Sequence, residues 1–148
     1  MVTIEQIKQL REETGVSVAE CRKALAQANG DFDSAKEILR KRGVEIAAKR
    51  AEKIAGQGVI DSYIHPNKKV GVLLDLRCES DFVARSEDFQ KLAHELCLQI
   101  AAMTPSKDEL LVQPWIKETA KTPQDLLDEY VAKLGEKIVV EKFVRYEL

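Results

Sequence analysis

The chain has 148 residues, of which 45% are apolar and only 5% aromatic, so a core is possible and should be mostly aliphatic. Its 23 basic and 25 acidic residues leave a net charge of −2, which argues against bulk electrostatic capture of nucleic acid. Three isolated cysteines exclude a complete internal disulfide framework. The N-terminus lacks the features of a signal peptide, and no apolar run approaches the roughly 18 residues of a membrane span. We therefore expect a soluble, cytoplasmic protein without a membrane partner.

Residues 1–43 predict three short helices that form one small module. Thr3 and Ser17 each begin a capping box, and Asp31 or Asp33 caps the third helix. A glycine is placed to end each helix in turn: Gly15, Gly30 and Gly43.

Residues 44–57 are rich in Ala, Lys and Arg and predict a connector helix with little apolar surface to bury. Gly56 and Gly58 then mark the boundary to a second domain, residues 58–148. Seven basic residues crowd the connector region: Lys36, Arg40, Lys41, Arg42, Lys49, Arg50 and Lys53. They form a solvated helix face, a docking surface for an acidic protein, or a nucleic-acid contact. Interspersed glutamates and the lack of interleaved aromatic residues disfavour the last of these.

The second domain predicts the element order β-β-α-α-β. Alternating apolar residues indicate strands over 59–65, 69–78 and 137–147, with a turn at Pro66-Asn67-Lys68. In the second strand one face should carry Val70, Val72, Leu74 and Leu76, and the other Leu73, Asp75 and Arg77. Helical spacing indicates helices over 86–103 and 123–134, the first with a buried stripe of Phe89, Leu92, Leu96 and Ile100. The stretch 104–122 contains two prolines and is predicted to be mostly irregular. The fold class is therefore α+β, with a three-stranded antiparallel sheet covered by helices.

Residues suited to catalysis or metal binding do not cluster. His94 and Cys97 are three residues apart on one predicted helix, but the sequence supplies no third orienting group for a nucleophile. Ligand-type residues do not occur at zinc spacings, and the Gly56-Gln57-Gly58 run precedes a strand instead of a helix, the reverse of a phosphate-binding loop. We expect no metal, no cofactor and no enzymatic chemistry.

A short acidic and aromatic turn, Ser80-Asp81-Phe82-Val83, stands between the strand that ends at Cys78 and the helix that begins near Ser86. Rigid elements on both sides should hold this turn in place. Phe82 either folds under the helix into the core or projects as the aromatic anchor of an interface. In the second case the turn is a binding site for another protein.

The chain resembles the elongation factor Ts family in six segments that follow the family's order. They are Leu10-Arg11-Glu12-Glu13-Thr14-Gly15 with Cys21-Arg22-Lys23-Ala24-Leu25, Asn29-Gly30-Asp31, Ala47-Ala48-Lys49-Arg50-Ala51, Gly58-Val59-Ile60, Cys78-Glu79-Ser80-Asp81-Phe82-Val83-Ala84 and Gly135-Glu136-Lys137-Ile138-Val139-Val140. The resemblance covers nearly the whole chain apart from residues 104–122. It implies an N-terminal ubiquitin-associated-like module of three helices and an antiparallel sheet core.

The resemblance also implies a function. Members of the family bind elongation factor Tu with GDP and promote GDP release and exchange for GTP, without catalytic groups. By resemblance, Asp81 and Phe82 insert beside the nucleotide-binding domain of elongation factor Tu and disturb its magnesium site. The N-terminal module docks on a helix of that domain through the positions Arg11, Val18, Ala19 and Arg22.

Three departures from the family pattern affect this transfer. Ser80 stands where the family usually has threonine, and Val18 and Ala19 stand where two methionine-type residues are common. The chain also has room for only one three-stranded unit, whereas longer members have a second core half and a helical hairpin. Contacts of the missing half are either absent or supplied by a second copy, and the long strand over 137–147 leaves an edge that favours a homodimer. An alternative function is an adaptor whose three-helix module binds helical or ubiquitin-like partners without exchange activity.

Overall fold

The computed structural model describes residues 1–103 and 105–148. Its elements in chain order are α1 (Ile4–Thr14), α2 (Val18–Gln27), α3 (Phe32–Lys49), β1 (Gln57–Ile64), β2 (Val70–Cys78), α4 (Asp81–Ala84), α5 (Glu87–Met103), α6 (Pro123–Leu134) and β3 (Val139–Glu147). This confirms the predicted α+β class. None of the helices in the described ranges combines the length and apolar character needed to span a bilayer.

The chain divides into two compact units. Unit 1 contains Met1–Ala51 together with Asp128–Glu136, and unit 2 contains Glu52–Leu127 together with Lys137–Leu148. Helix α6 therefore contributes its first residues to unit 2 and its remainder to unit 1.

The first three helices of unit 1 begin where local capping chemistry predicts. Thr3 forms a complete capping box with Gln6, Ser17 accepts a hydrogen bond from the backbone N–H of Glu20, and Asp31 accepts one from Ser34 N. Their apolar faces meet in one core, whose buried members are Leu10, Val16, Cys21, Ala24, Leu25, Ala35 and Leu39. Ala132 of α6 packs against this core.

The prediction that Gly43 ends the third helix was wrong. Helix α3 continues through Gly43 to Lys49, and residues 50–56 lie outside any helix, so there is no separate connector helix over 44–57. Gly43 is buried, and a Cβ atom at this position would lie 2.1 Å from the backbone O of Asp128. This glycine serves the close approach of α3 and α6, which both belong to unit 1, and does not act as a stop signal.

Unit 2 is built on an antiparallel sheet with the strand order β1-β2-β3. The predicted turn at Pro66-Asn67-Lys68 joins β1 to β2, and His65 N donates to Val70 O across it. In the middle strand Val72, Leu74 and Leu76 are buried and Leu73 is about half exposed, as the predicted alternation of faces requires. Asp75, predicted on the same face as Leu73, is nevertheless only 7% exposed.

Helices α4 and α5 pack on the inner face of this sheet. The predicted buried stripe of α5 is confirmed, since Phe89, Leu92, Leu96 and Ile100 are all essentially inaccessible. Residues 105–122 contain no regular helix or strand and are secured to α5 by Gln99. Its amide donates to Pro114 O at 3.0 Å and accepts from Ile116 N at 2.9 Å. Thr104, the first residue of the stretch predicted to be irregular, lies outside the described residues.

Candidate functional site

The acidic and aromatic turn follows directly from the middle strand of the sheet. Strand β2 ends at Cys78, and α4 begins at Asp81 with Ser80 as its N-cap. The Ser80 hydroxyl oxygen accepts a hydrogen bond from Val83 N at 3.2 Å. Helix α4 has only four residues, which is too short for a helix to be stable by itself. Its conformation must therefore come from contacts with the rest of unit 2.

Several of these contacts lie on the inner side of the turn. Val83 and Ala84 are 6% and 1% exposed, so they anchor α4 in the core. Ser86 links the two helices, because its hydroxyl donates to Val83 O at 2.6 Å and accepts from Phe89 N at 3.2 Å. Phe89 is itself fully buried. The inner side of α4 is thus packed and hydrogen-bonded like ordinary protein interior.

The outer side of the turn is different. Phe82 is 87% exposed, which excludes the interpretation that it folds under the helix as core. Asp81 is also exposed, and its carboxylate lies 2.7 Å from the Arg85 guanidinium. An ion pair between two such exposed side chains stabilises a fold very little. A large aromatic ring and a carboxylate are therefore presented to solvent on a fixed base, as an anchor residue at a protein interface would be.

Two residues before the turn attach it to the sheet. The Cys78 thiol donates to Ser80 O at 3.2 Å, and the Glu79 carboxylate accepts a hydrogen bond from Lys137 N at 2.6 Å. Cys78 and Glu79 belong to one of the segments that resemble the family, but the sequence assigns them no role. The partner of Glu79 is remote in sequence, so only the strand pairing of the folded chain reveals the contact.

The second predicted contact surface lies on unit 1. Arg11, Val18, Ala19 and Arg22 are all exposed, and the last three share one face of α2 because they are three and four residues apart. Val18 is 53% exposed, which is high for an apolar side chain. Arg11 lies on α1, which shares the core of unit 1 with α2. The structure therefore exposes all four residues on unit 1 and places three of them on one face of α2.

The basic residues of α3 are largely paired with acidic ones. Lys36 lies 2.5 Å from the Glu13 carboxylate, and Arg42 lies 2.9 Å from that of Glu45. Arg40 binds the carboxylate of Glu37. This pairing favours the solvated helix face over a nucleic-acid contact, because phosphate binding needs cations whose charge is not already balanced.

Catalytic chemistry finds no support around the histidines and cysteines. Cys97 is fully buried, and burial with the nearby Asp61 raises the pKa of its thiol to about 12, so it is unsuited to act as a nucleophile. His65 shares a hydrogen bond of 2.9 Å with the Tyr63 hydroxyl. Within the described part of the chain, no group of three His, Cys, Asp or Glu residues could hold a metal ion.

Comparison with known proteins gives a consistent family. A family model described as "Elongation factor TS" matches residues 79–148, which include the turn and all of β3. A protein of Moorella thermoacetica named elongation factor Ts is 40% identical, with 100% of this chain and 96% of the relative covered. Elongation factor Ts of Acetivibrio thermocellus is 39% identical over 99% of this chain and 90% of its own length.

The curated relatives are longer than this chain within the matched region. The Moorella alignment extends over 194 positions, which exceeds the 148 residues present here, so the relative has residues without a counterpart. Elongation factor Ts of Desulforamulus reducens, 37% identical over 99% of this chain, shows the same excess. Near-complete coverage at these identities shows that the chain belongs to the elongation factor Ts family.

Proposed function

We propose that this chain binds elongation factor Tu carrying GDP and promotes the release of GDP and its exchange for GTP. The observation that carries this proposal is the 87% exposed Phe82 on a turn that is fixed by packing, in a chain of the elongation factor Ts family. Exposure of this ring to water does not stabilise the fold, so the exposed position favours a role in binding. The turn is suited to insertion into a partner, as the family resemblance implies.

The proposed mechanism needs no acid, base or nucleophile. Moving the Phe82 ring from water into a pocket of the partner contributes about 1.5–3 kcal/mol. If that pocket opens only when nucleotide and magnesium are displaced, the energy is realised only in the nucleotide-free complex. By linkage, nucleotide binding is then weakened by the same factor by which nucleotide weakens this complex. Asp81 would bring a negative charge next to the magnesium site and act in the same direction. The protein would therefore be an exchange factor and not a chemical catalyst.

Residues 1–43 would supply a second contact with elongation factor Tu. The exposed residues Arg11, Val18, Ala19 and Arg22 combine apolar side chains with two cations, which suits a partner helix with an apolar stripe and acidic flanks. Such a contact would keep Phe82 near the nucleotide site and would determine the affinity for elongation factor Tu. The core, residues 58–148, would act on the nucleotide site.

We also propose a homodimer formed through the outer face of the sheet. On this face Leu73 of β2 lies opposite Ser62 of β1 and Val144 of β3, and Gly71 lies between Ile64 and Tyr146. Gly71 lacks a side chain and so leaves a shallow, mainly apolar cleft of about 490 Å³. Exposed apolar side chains line it: Ile64, Leu73, Val144 and Tyr146. A second sheet would remove this surface from water. Leu73→Asp should then shift the mass measured by sedimentation from dimer to monomer.

The test of exchange activity is release of a fluorescent GDP analogue from elongation factor Tu. The loaded factor is mixed with excess unlabelled GDP, with and without this protein, over a range of concentrations. We expect release to accelerate and to saturate with concentration. Unchanged release in the presence of demonstrated binding would instead favour an adaptor. A lack of binding would remove the cytoplasmic elongation factor Tu as the partner.

A further inference from the structure

A side-chain hydrogen bond between Glu79 and Lys137 joins the chain after β2 to the chain before β3, beyond the last backbone pair of the sheet. The last pair of the β2–β3 ladder is Arg77 with Val139, and the same register places Glu79 directly opposite Lys137. The strands no longer pair there. Instead, the Glu79 carboxylate accepts from the backbone N–H of Lys137 at 2.6 Å. A side chain thus takes the place of the missing backbone acceptor, with the added strength of an ionised group.

The acceptor is bound to a segment that is itself held in place. The Lys137 ammonium donates to Lys53 O at 3.2 Å, and Ile138 is buried at 7% exposure. Glu79 is partly buried, so its hydrogen bond is sheltered from competition with water. The end of β2 is therefore attached to the beginning of β3 at a point beyond the regular sheet.

This attachment acts directly on the turn. Glu79 is the residue before the N-cap Ser80, whose carbonyl oxygen is held by the Cys78 thiol. Two consecutive residues thus hold the chain where α4 leaves the sheet: the Cys78 thiol binds Ser80 O, and the Glu79 carboxylate binds Lys137 N. Phe82 is only three residues further along, so a rotation of the chain at Glu79 would displace the ring.

We propose that Glu79 is a positioning residue for Phe82 that acts through Lys137 and does not touch the partner protein. The proposal rests on the exchange function given above, because the effect of a displaced ring is read in the rate of GDP release. A side chain that must enter a particular pocket is sensitive to small displacements, and a misplacement of about 1 Å can lower the rate by up to about a hundredfold.

Two substitutions of similar length separate the hydrogen bond from simple packing. Glu79→Gln keeps a side-chain oxygen that can accept from Lys137 N, whereas Glu79→Met keeps the length and the apolar stem and lacks that oxygen. Glu87→Met serves as the control, because it removes an exposed carboxylate from the first turn of α5. All three are compared with the unchanged protein for GDP release from elongation factor Tu, thermal unfolding, the rate of chymotrypsin cleavage after Phe82, and NMR hydrogen exchange of the Lys137 amide.

We expect Glu79→Met to lower the maximal release rate about tenfold while the concentration for half-maximal effect stays the same, because the N-terminal contact surface is unchanged. The Lys137 amide should exchange faster in this variant, and chymotrypsin should cut faster after Phe82. Glu79→Gln should retain most of the activity and the protection, and Glu87→Met should behave like the unchanged protein.

Equal activity and equal amide protection in Glu79→Met would overturn the proposal. Loss of cooperative unfolding in that variant would do so as well, since Glu79 would then be a residue of general stability. If the unchanged protein does not accelerate GDP release, the exchange function fails. In that case faster exchange of the Lys137 amide and faster cleavage after Phe82 would still establish that Glu79 holds the turn.

Discussion

The backbone carbonyl of Asp128 occupies the space in which a side chain on Gly43 would begin. A Cβ atom at residue 43 would lie 2.1 Å from this oxygen and 3.2 Å from the Cβ of Ala132. Because both neighbours belong to the close contact between α3 and α6, neither can move away without separating the helices. The absence of a side chain at one position therefore determines how closely the two helices of unit 1 approach.

Substitution of this glycine should destabilise unit 1. We expect Gly43→Ala to lower the free energy of unfolding by about 2 kcal/mol, because overpacking of a close backbone contact outweighs the gain in helix propensity. Urea unfolding followed by circular dichroism measures the change. Gly56→Ala is the matched control, since a Cβ there would meet only the Ile54 side chain at 3.6 Å. Equal urea midpoints for Gly43→Ala and Gly56→Ala would contradict the conclusion that Gly43 is needed for the close contact between α3 and α6.

Removal of the exposed ring should strongly reduce exchange activity without affecting the fold. Phe82→Ala removes a side chain that is 87% exposed, so we expect a change in stability below about 0.5 kcal/mol. Acceleration of GDP release from elongation factor Tu should fall by a factor of about 10 to 100, as for a buried aromatic anchor. Phe89→Ala provides the opposite control, because that ring is fully buried and its loss should mainly destabilise the fold. Normal GDP exchange by Phe82→Ala would disprove the proposal that Phe82 inserts into elongation factor Tu.

Changes on the surface of α2 should affect affinity more than maximal rate. Arg22→Glu reverses an exposed charge beside Val18, and we expect weaker binding to elongation factor Tu by about tenfold, with the maximal exchange rate preserved. Isothermal titration calorimetry gives the dissociation constant and stopped-flow fluorescence the rate. Lys41→Glu makes the same charge change on α3 and should leave both quantities unaltered. A similar loss of affinity in the two variants would indicate a general charge effect instead of a docking surface.

The ion pair on the outer face of the sheet should make stability depend on pH. Arg77 donates to Asp75 through Nε at 3.0 Å and Nη2 at 3.1 Å, and these hydrogen bonds lower the pKa of the Asp75 carboxyl. The pKa of the Asp75 carboxyl is thus lower in the folded state than in the unfolded state. The stabilisation is complete above the unfolded value of about 3.9 and is lost as pH falls through the folded value.

We therefore expect the urea midpoint to fall as the pH is lowered from about 5 to about 2, and to fall less steeply in Asp75→Asn. Asp108→Asn, an exposed aspartate in the same unit, is the control and should retain the slope of the unchanged protein. If Asp75→Asn also retains that slope, then other carboxylates determine the acid sensitivity.

The sequence predicted those features that depend on neighbours along the chain. The cap at Thr3, the turn after His65 and the buried stripe of α5 follow from residues within one or two helical turns, and the structure confirms them. The turn at Ser80–Val83 was located in the same way, from its place between a strand and a helix. Whether Phe82 is core or surface could not be decided by spacing, because both arrangements place it in a short connection.

The contacts that escaped prediction join residues far apart in the chain. Gly43 has the sequence signature of a helix stop, and only the arrival of Asp128 beside it explains why the helix continues. Glu79 likewise gains its role from Lys137, through a strand register that contains an irregularity at Asp75 and Leu76. Neither pairing leaves a periodic signal, so patterns in one sequence cannot reveal them.

The discontinuous composition of unit 1 affects how the chain can fold during synthesis. Residues 128–136 complete this unit, but the ribosome makes them only after residues 52–127. Until then the Gly43 side of α3 lacks its covering helix. The N-terminal helices should therefore lack the part of their packing that α6 provides while the chain is on the ribosome, and a fragment that stops after residue 51 should be less stable than the same residues in the whole chain.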